Sequence, residues 1–271
     1  MLFPSVLHSW LLLGPKICLN ATPQSPHSAL YAAFICGTQL PSGLVQELFK
    51  EAGLIHLLVV SGAHLVFVER LVSWLPKRAR WASLLVYSWL TGFGIPIVRA
   101  LLRRLCDHIF VNWGWTRLQT EAQTTAILLV LHPAWLHSQS FLMCWACALA
   151  MQAPWHWPKN WPQLSVSLKC YTFLFPLCPS SPLSIAWNSL VAPAMGEILF
   201  PACLLAYLFP ITVPITDQVW YALLWLLKVG PRQTATGVVG SAILLWWLPL
   251  VTHAFLLWGE WKWRSSAAFS R

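Results

Sequence analysis

Charge placement constrains this chain more than any other feature of its sequence. Long stretches carry no Asp, Glu, Lys or Arg, among them 18 residues between Arg80 and Arg99, 37 between Glu121 and Lys159, 27 between Lys169 and Glu197, and 27 between Arg232 and Glu260. A helix that crosses a bilayer needs about 20 mostly apolar residues. A charge at the bilayer centre costs roughly 2.5–3.5 kcal/mol on insertion scales, so charge-free lengths of this size map onto membrane segments. Only 9% of the 271 residues are charged and 58% are apolar. An ordinary soluble domain is about 25% charged, so a water-facing surface cannot be built from this composition. Disorder is excluded too, because it needs low hydrophobicity and high charge.

The predicted fold class is all-α: a polytopic integral membrane protein with about 7–9 membrane segments, some of them broken or re-entrant. The candidate segments are 54–75, 81–102, 122–136, 138–155, 164–178, 183–209, 215–229 and 233–259. The region 1–37 either adds a segment or lies in the interface, and its apolar run 6–13 reads as a retained segment rather than a cleaved signal. His132-Pro133 breaks the longest gap, and Pro201, Pro210 and Pro214 kink or interrupt the chain over 198–216. Backbone groups freed at such breaks need protein or cavity water as partners, so many breaks together point to a polar path. The competing reading is ordinary kinked helices packed together.

Orientation follows the basic residues. Lys77, Arg78 and Arg80 mark a cytoplasmic loop, which puts Lys50 and Glu51 on the outer side. The next loop should then be outside, yet it carries Arg103, Arg104 and Arg117. Either 81–102 is re-entrant at 92–96, or 103–117 is an amphipathic interfacial helix. No repeat or low-complexity linker divides the chain. The expected organisation is an N-terminal membrane or interfacial segment over 1–28, a transmembrane domain over 29–260, and a basic cytoplasmic tail over 261–271.

Three polar constellations stand out. The first is Gly53-Leu54-Ile55-His56-Leu57-Leu58-Val59-Val60-Ser61-Gly62-Ala63-His64. At helical pitch His64 lies about 80° and Ser61 about 140° from His56, so the three share one broad face. In lipid such a face must meet a cavity or other helices. A hydrogen-bonded packing cluster is one reading. A Ser/His nucleophile is the other, although no neighbouring carboxylate is present to orient an imidazole. The second constellation is Tyr87-Ser88-Trp89-Leu90-Thr91-Gly92-Phe93-Gly94-Ile95-Pro96-Ile97-Val98-Arg99-Ala100. Here glycines and a proline break a helix just before a lone arginine, whose planar fork can bind an anion such as phosphate. The competing role is snorkelling, or an ion pair with Glu197 or Glu121. The third is Asn188-Ser189-Leu190-Val191-Ala192-Pro193 with Glu197 beyond it. The eight cysteines show no metal-ligand spacing, and Cys144-x-x-Cys147 reads as small packing residues on one helix face.

The run from Ala52 to His64 resembles the A-G-x-x-H-L-L-x-x-S-G-x-H signature of the ComEC competence proteins. Leu90-Thr91-Gly92-Phe93 followed by Arg99-Ala100 resembles that family's L-T-G-F … R-A segment, at matching spacing. Ser140-Phe141-Leu142, Asn188 with Pro193, and the stretch 30–41 with Gly37 are similar to further family segments. The resemblance implies that 29–260 is a competence-type transmembrane domain. It also implies an inner-membrane channel that passes single-stranded transforming DNA into the cytoplasm. His56, Ser61, Gly62, His64, Thr91, Gly92, Arg99, Arg103, Arg104 and Asn188 then lie along the DNA path or support it. The zinc signature of the family's nuclease-like domain is absent, so strand degradation falls to another protein and no enzyme activity is expected. No cofactor or metal is expected. No Walker-type loop occurs, so a pulling motor is also separate. Expected partners are single-stranded DNA, the bilayer, a DNA receptor, the nuclease, a cytoplasmic motor and a second copy of the chain. A formal net charge of +9 fits contact with phosphates. The alternatives are a small-solute transporter, or an intramembrane hydrolase using Ser61 with His56 or His64.

Overall fold

The computed structural model describes residues 3–54, 62–110, 113–152, 160, 162–174, 182–230 and 242–269. Among these residues every regular element is a helix, and no strand occurs. The all-α expectation is met. Proline, glycine and capping residues set most of the boundaries. Helix α1 (Phe3–Asn20) is followed by the short α2 (Ser28–Tyr31), which widens into a π turn (Ala32–Cys36). Gly37 ends that turn at φ +77°, a left-handed conformation that suits a residue without Cβ. Next come α3 (Leu44–Glu51) and α4 (Gly62–Leu71). Pro76 stands in extended conformation just before α5 (Lys77–Leu90).

The expected segment 81–102 is not one helix. It is the end of α5, a tight turn, and the start of α6 (Ile95–Phe110). Gly92 (φ +73°) and Phe93 (φ +51°) make the turn, and Pro96 enters the first turn of α6, where a missing N–H costs nothing. The break falls at 92–94, inside the expected 92–96, and α6 ends at Phe110, short of the helix expected over 103–117. Helix α7 (Arg117–Leu131) starts at Thr116 with a reciprocal capping box to Gln119. His132-Pro133 ends it as expected, through a 3-10 turn (Pro133–His137) into α8 (Gln139–Gln152). Helix α9 is Pro162–Leu174.

Helix α10 (Leu183–Ala194), a π turn (Met195–Leu199) and α11 (Phe200–Leu208) form one continuous rod. Pro201 has no N–H to offer the carbonyl of Glu197, and a widened turn carries the ladder past that gap. Pro210 breaks the rod through a 3-10 turn, and α12 (Val213–Val229) follows with Pro214 in its first turn. Helix α13 is Ala242–Phe269. Among the described residues, Ile185–Leu208 is the helix long and apolar enough to cross a bilayer by itself.

The chain divides into two compact units, 1–98 with 181–235 and 99–180 with 236–271. The first unit has an aromatic core: Tyr31, Phe34, Phe49, Phe200 and Trp220 are fully buried. Rings meet edge to face, Phe34 on Phe200 at 5.9 Å and on Trp220 at 5.8 Å. In the second unit α8 and α9 form a hairpin whose seam packs Leu142 and Ala146 against Leu174. Both units also bury polar and charged groups beside their apolar cores. His27, His64, Arg99, Glu121, Thr124, Lys169 and His253 are inside. Large apolar side chains face out, among them Tyr221, Trp225 and Val229 on α12 and Trp247, Val251, Phe255 and Trp258 on α13.

Candidate functional site

The first sequence motif is only partly described: His56 and Ser61 lie outside the described residues. Gly62 starts α4, and His64 two residues later is almost fully buried. Its ring lies among Phe34 (centroids 5.0 Å), Phe200 (5.3 Å) and Phe67 (6.0 Å), each close to edge-on. Tyr87 of α5 meets the same Phe200 ring at 6.2 Å. Phe200 thus joins the first motif, the second motif and the rod that carries the third. Asn188 lies on that rod three turns before Phe200 and is half-buried.

The second motif divides at its turn. The Thr91 hydroxyl donates to the carbonyls of Tyr87 (3.1 Å) and Ser88 (3.0 Å), tying down the last turn of α5. Gly92 follows against α1: a Cβ there would lie 3.0 Å from Pro15 Cγ. Trp89 Nε1 donates to the Trp10 carbonyl at 2.9 Å, and the two indoles meet at 5.4 Å. Gly14 of α1 lies so close to the Trp89 backbone that a side chain there would overlap it. The left-handed turn and these small residues let α1 and α5 pack backbone to backbone.

The basic residues beyond the turn are not an open cluster. Arg99 is buried and pairs with Glu121, which is 1% exposed. Arg103 donates through Nε to the other oxygen of Glu121 (3.1 Å), through Nη2 to the Arg117 carbonyl (3.0 Å), and pairs with Asp107 one turn on. One carboxylate on α7 therefore holds two guanidiniums on α6. Of the two carboxylates the sequence offered Arg99 as ion-pair partners, the structure places Glu121 against it, because α7 returns beside α6. Arg104 is half-buried on α6. Close by in the same unit, Thr116 Oγ1 donates to Glu260 Oε2 (2.9 Å) and His253 Nε2 lies 3.2 Å from the Leu118 carbonyl.

Several features escaped the sequence reading. Cys18 and Cys36 form a disulfide that joins α1 to the π turn after α2. Beside it Tyr207 lies 3.1 Å from Thr22 Oγ1. Asp217 accepts from Tyr31 OH at 3.1 Å and lies 3.3 Å from His27 Nδ1, while His27 packs edge-on against Tyr221. Cys147 of α8 and Cys170 of α9 are neighbours across the hairpin. Arg70 Nη1 donates to Glu197 Oε1 at 3.1 Å, and both side chains are exposed. All of these join residues distant in sequence, and only the charge of Glu197 inside a long apolar stretch signalled one of them in advance. Among the described residues no group of three His, Cys, Asp or Glu side chains is placed to hold a metal ion.

No solved structure matches this chain. The Competence protein ComA of Neisseria gonorrhoeae is 27% identical over 237 aligned residues, covering 71% of this chain and 33% of that protein. The chain thus spans about a third of the length of that curated relative. Residues 42–265 match the Competence protein family, a range that contains both motifs, the buried Arg99–Glu121 pair and the long rod, and the chain belongs to that family.

Proposed function

We propose that this chain is an inner-membrane channel component that passes single-stranded transforming DNA into the cytoplasm during natural competence. The observation that carries the proposal is membership of the Competence protein family over 42–265. It crosses the bilayer several times. The apolar rows turned outward on α12 and α13 support this, since patches of such size are unfavourable in water. The chain conducts the strand and does not cut it. A separate receptor, nuclease and motor act with it, and a second copy is a further partner.

The same reading orients the first unit. On this reading Cys18–Cys36 faces the outside, since disulfides persist on the oxidising side of a membrane. Positive residues favour the cytoplasm, which places Lys77, Arg78 and Arg80 inside. Helix α5 has 14 residues, a length of about 21 Å, and runs from that basic cluster to the Gly92 turn beside Pro15. On this orientation the basic end of α5 faces the cytoplasm and its Gly92 end lies toward the outer side.

The experiment is transformation with a selectable marker in a strain deleted for this chain, with and without a restored wild-type copy. Labelled DNA in a nuclease-protected periplasmic pool is followed alongside. Transformants are expected to vanish while the pool persists, and to return with the restored copy. Unchanged transformation in a host shown to be competent refutes the channel reading.

A further inference from the structure

We propose that Arg70 and Glu197 line the water-filled path by which the strand crosses the membrane; this rests on the channel reading above. The argument begins with depth. Ile185–Leu208 spans 24 residues, about 36 Å of helix against a hydrocarbon core of about 30 Å. Glu197 lies near the midpoint of that span, where ionised groups are least tolerated and where they face a bundle interior or a water-filled cavity. Burial then separates those two surroundings. Arg99 and Glu121 are enclosed by protein, with side-chain exposures of 11% and 1%. Arg70 and Glu197 are 66% and 64% exposed. A pair that open at mid-depth needs water on its outer side.

Local structure builds the pair deliberately. The π turn Met195–Leu199, forced by Pro201, holds Glu197. Such turns interrupt a helix at the cost of regular pairing and recur at functional positions. Gly196 next to it receives the Phe67 ring of α4 so closely that any side chain would overlap the ring. That contact draws α4 against the rod, and Arg70, one turn beyond Phe67, then reaches Glu197 at 3.1 Å.

The chemistry suits a moving polyanion. The bond to Glu197 takes one of the five guanidinium donors, and the planar fork matches a phosphate. Glu197 competes with each phosphate for Arg70. Conduction needs contacts strong enough to admit the strand and weak enough to release it.

Water access can be measured without DNA. Glu197→Cys and Arg70→Cys are made singly, with Ile198→Cys as the exposed apolar neighbour. Membrane vesicles are treated with a membrane-impermeant, positively charged methanethiosulfonate, and each position is read by peptide mass spectrometry. Thiols react as thiolates, which form only in water. At least one of Glu197→Cys and Arg70→Cys is expected to react ten times faster than Ile198→Cys, and its modification should block transformation. Rates no faster than that of Ile198→Cys at both positions overturn the path assignment and leave the channel reading standing. Fast labelling in a chain whose deletion leaves transformation unchanged overturns the claim that the path carries DNA.

Discussion

Glu121 is the most consequential single side chain in the second unit. Its carboxylate is 1% exposed and answers both Arg99 and Arg103, whose side chains are 11% and 15% exposed. Glu121→Gln keeps the volume and removes the charge, leaving two guanidiniums with Asp107 as their carboxylate partner among the described residues. Breaking a buried pair by deleting one partner costs roughly 3–5 kcal/mol, mostly because a charge is left uncompensated. At roughly 2–4 °C per kcal/mol for a chain of this size, Tm should fall by roughly 6–20 °C. The assay is a thermal ramp on detergent-purified protein followed by size exclusion. Glu47→Gln is the control: it removes the exposed Lys50–Glu47 pair, with exposures of 43% and 55%. A pair of that kind is worth about 0.3–0.5 kcal/mol, so Tm should move by about 2 °C or less. Adding Arg99→Met to Glu121→Gln removes one of the stranded charges and should recover part of the loss. A Tm for Glu121→Gln within about 2 °C of wild type would refute the reasoning, as would strict additivity in the double variant.

Three further outcomes follow from local geometry. Gly92→Ala meets a positive φ and the Pro15 ring together, so it should cost at least about 1–2 kcal/mol and lower Tm in the same assay. Cys18→Ser with Cys36→Ser opens a loop of 18 residues and should cost about 3 kcal/mol. Intact mass before and after reduction checks that the bond exists in the purified wild type. Gly196→Leu drives a side chain into the Phe67 ring and should destabilise by about 1–3 kcal/mol, with partial rescue by Phe67→Ala. Additive losses in the Gly196→Leu, Phe67→Ala pair would place the clash elsewhere.

The sequence by itself determined the class of the molecule and its punctuation. Long apolar lengths punctuated by Pro and Gly led to an all-helical expectation, which the described residues meet, because helix formation and its interruption are local. The breaks at His132-Pro133, at Pro210 and at Gly92 were legible for the same reason: a missing N–H or a required positive φ acts within one turn of chain. Both family motifs could be read directly, since spacing is a one-dimensional property.

Tertiary structure alone decided which polar groups meet. Arg99 had two candidate carboxylates in the sequence, and the return of α7 beside α6 selected Glu121 and left Glu197 to Arg70. Cys18 found Cys36 among seven other cysteines because α1 and the π turn share a seam. His27, Tyr31 and Asp217 converge from residues about 190 positions apart, and neither end signals the other in sequence. Charge and periodicity say how strongly a group needs a partner. They carry no information about which helix will stand next to it, because that is set by side-chain shape at the seams, by the Phe67 ring in the space left by Gly196 and by α1 against the Trp89 backbone.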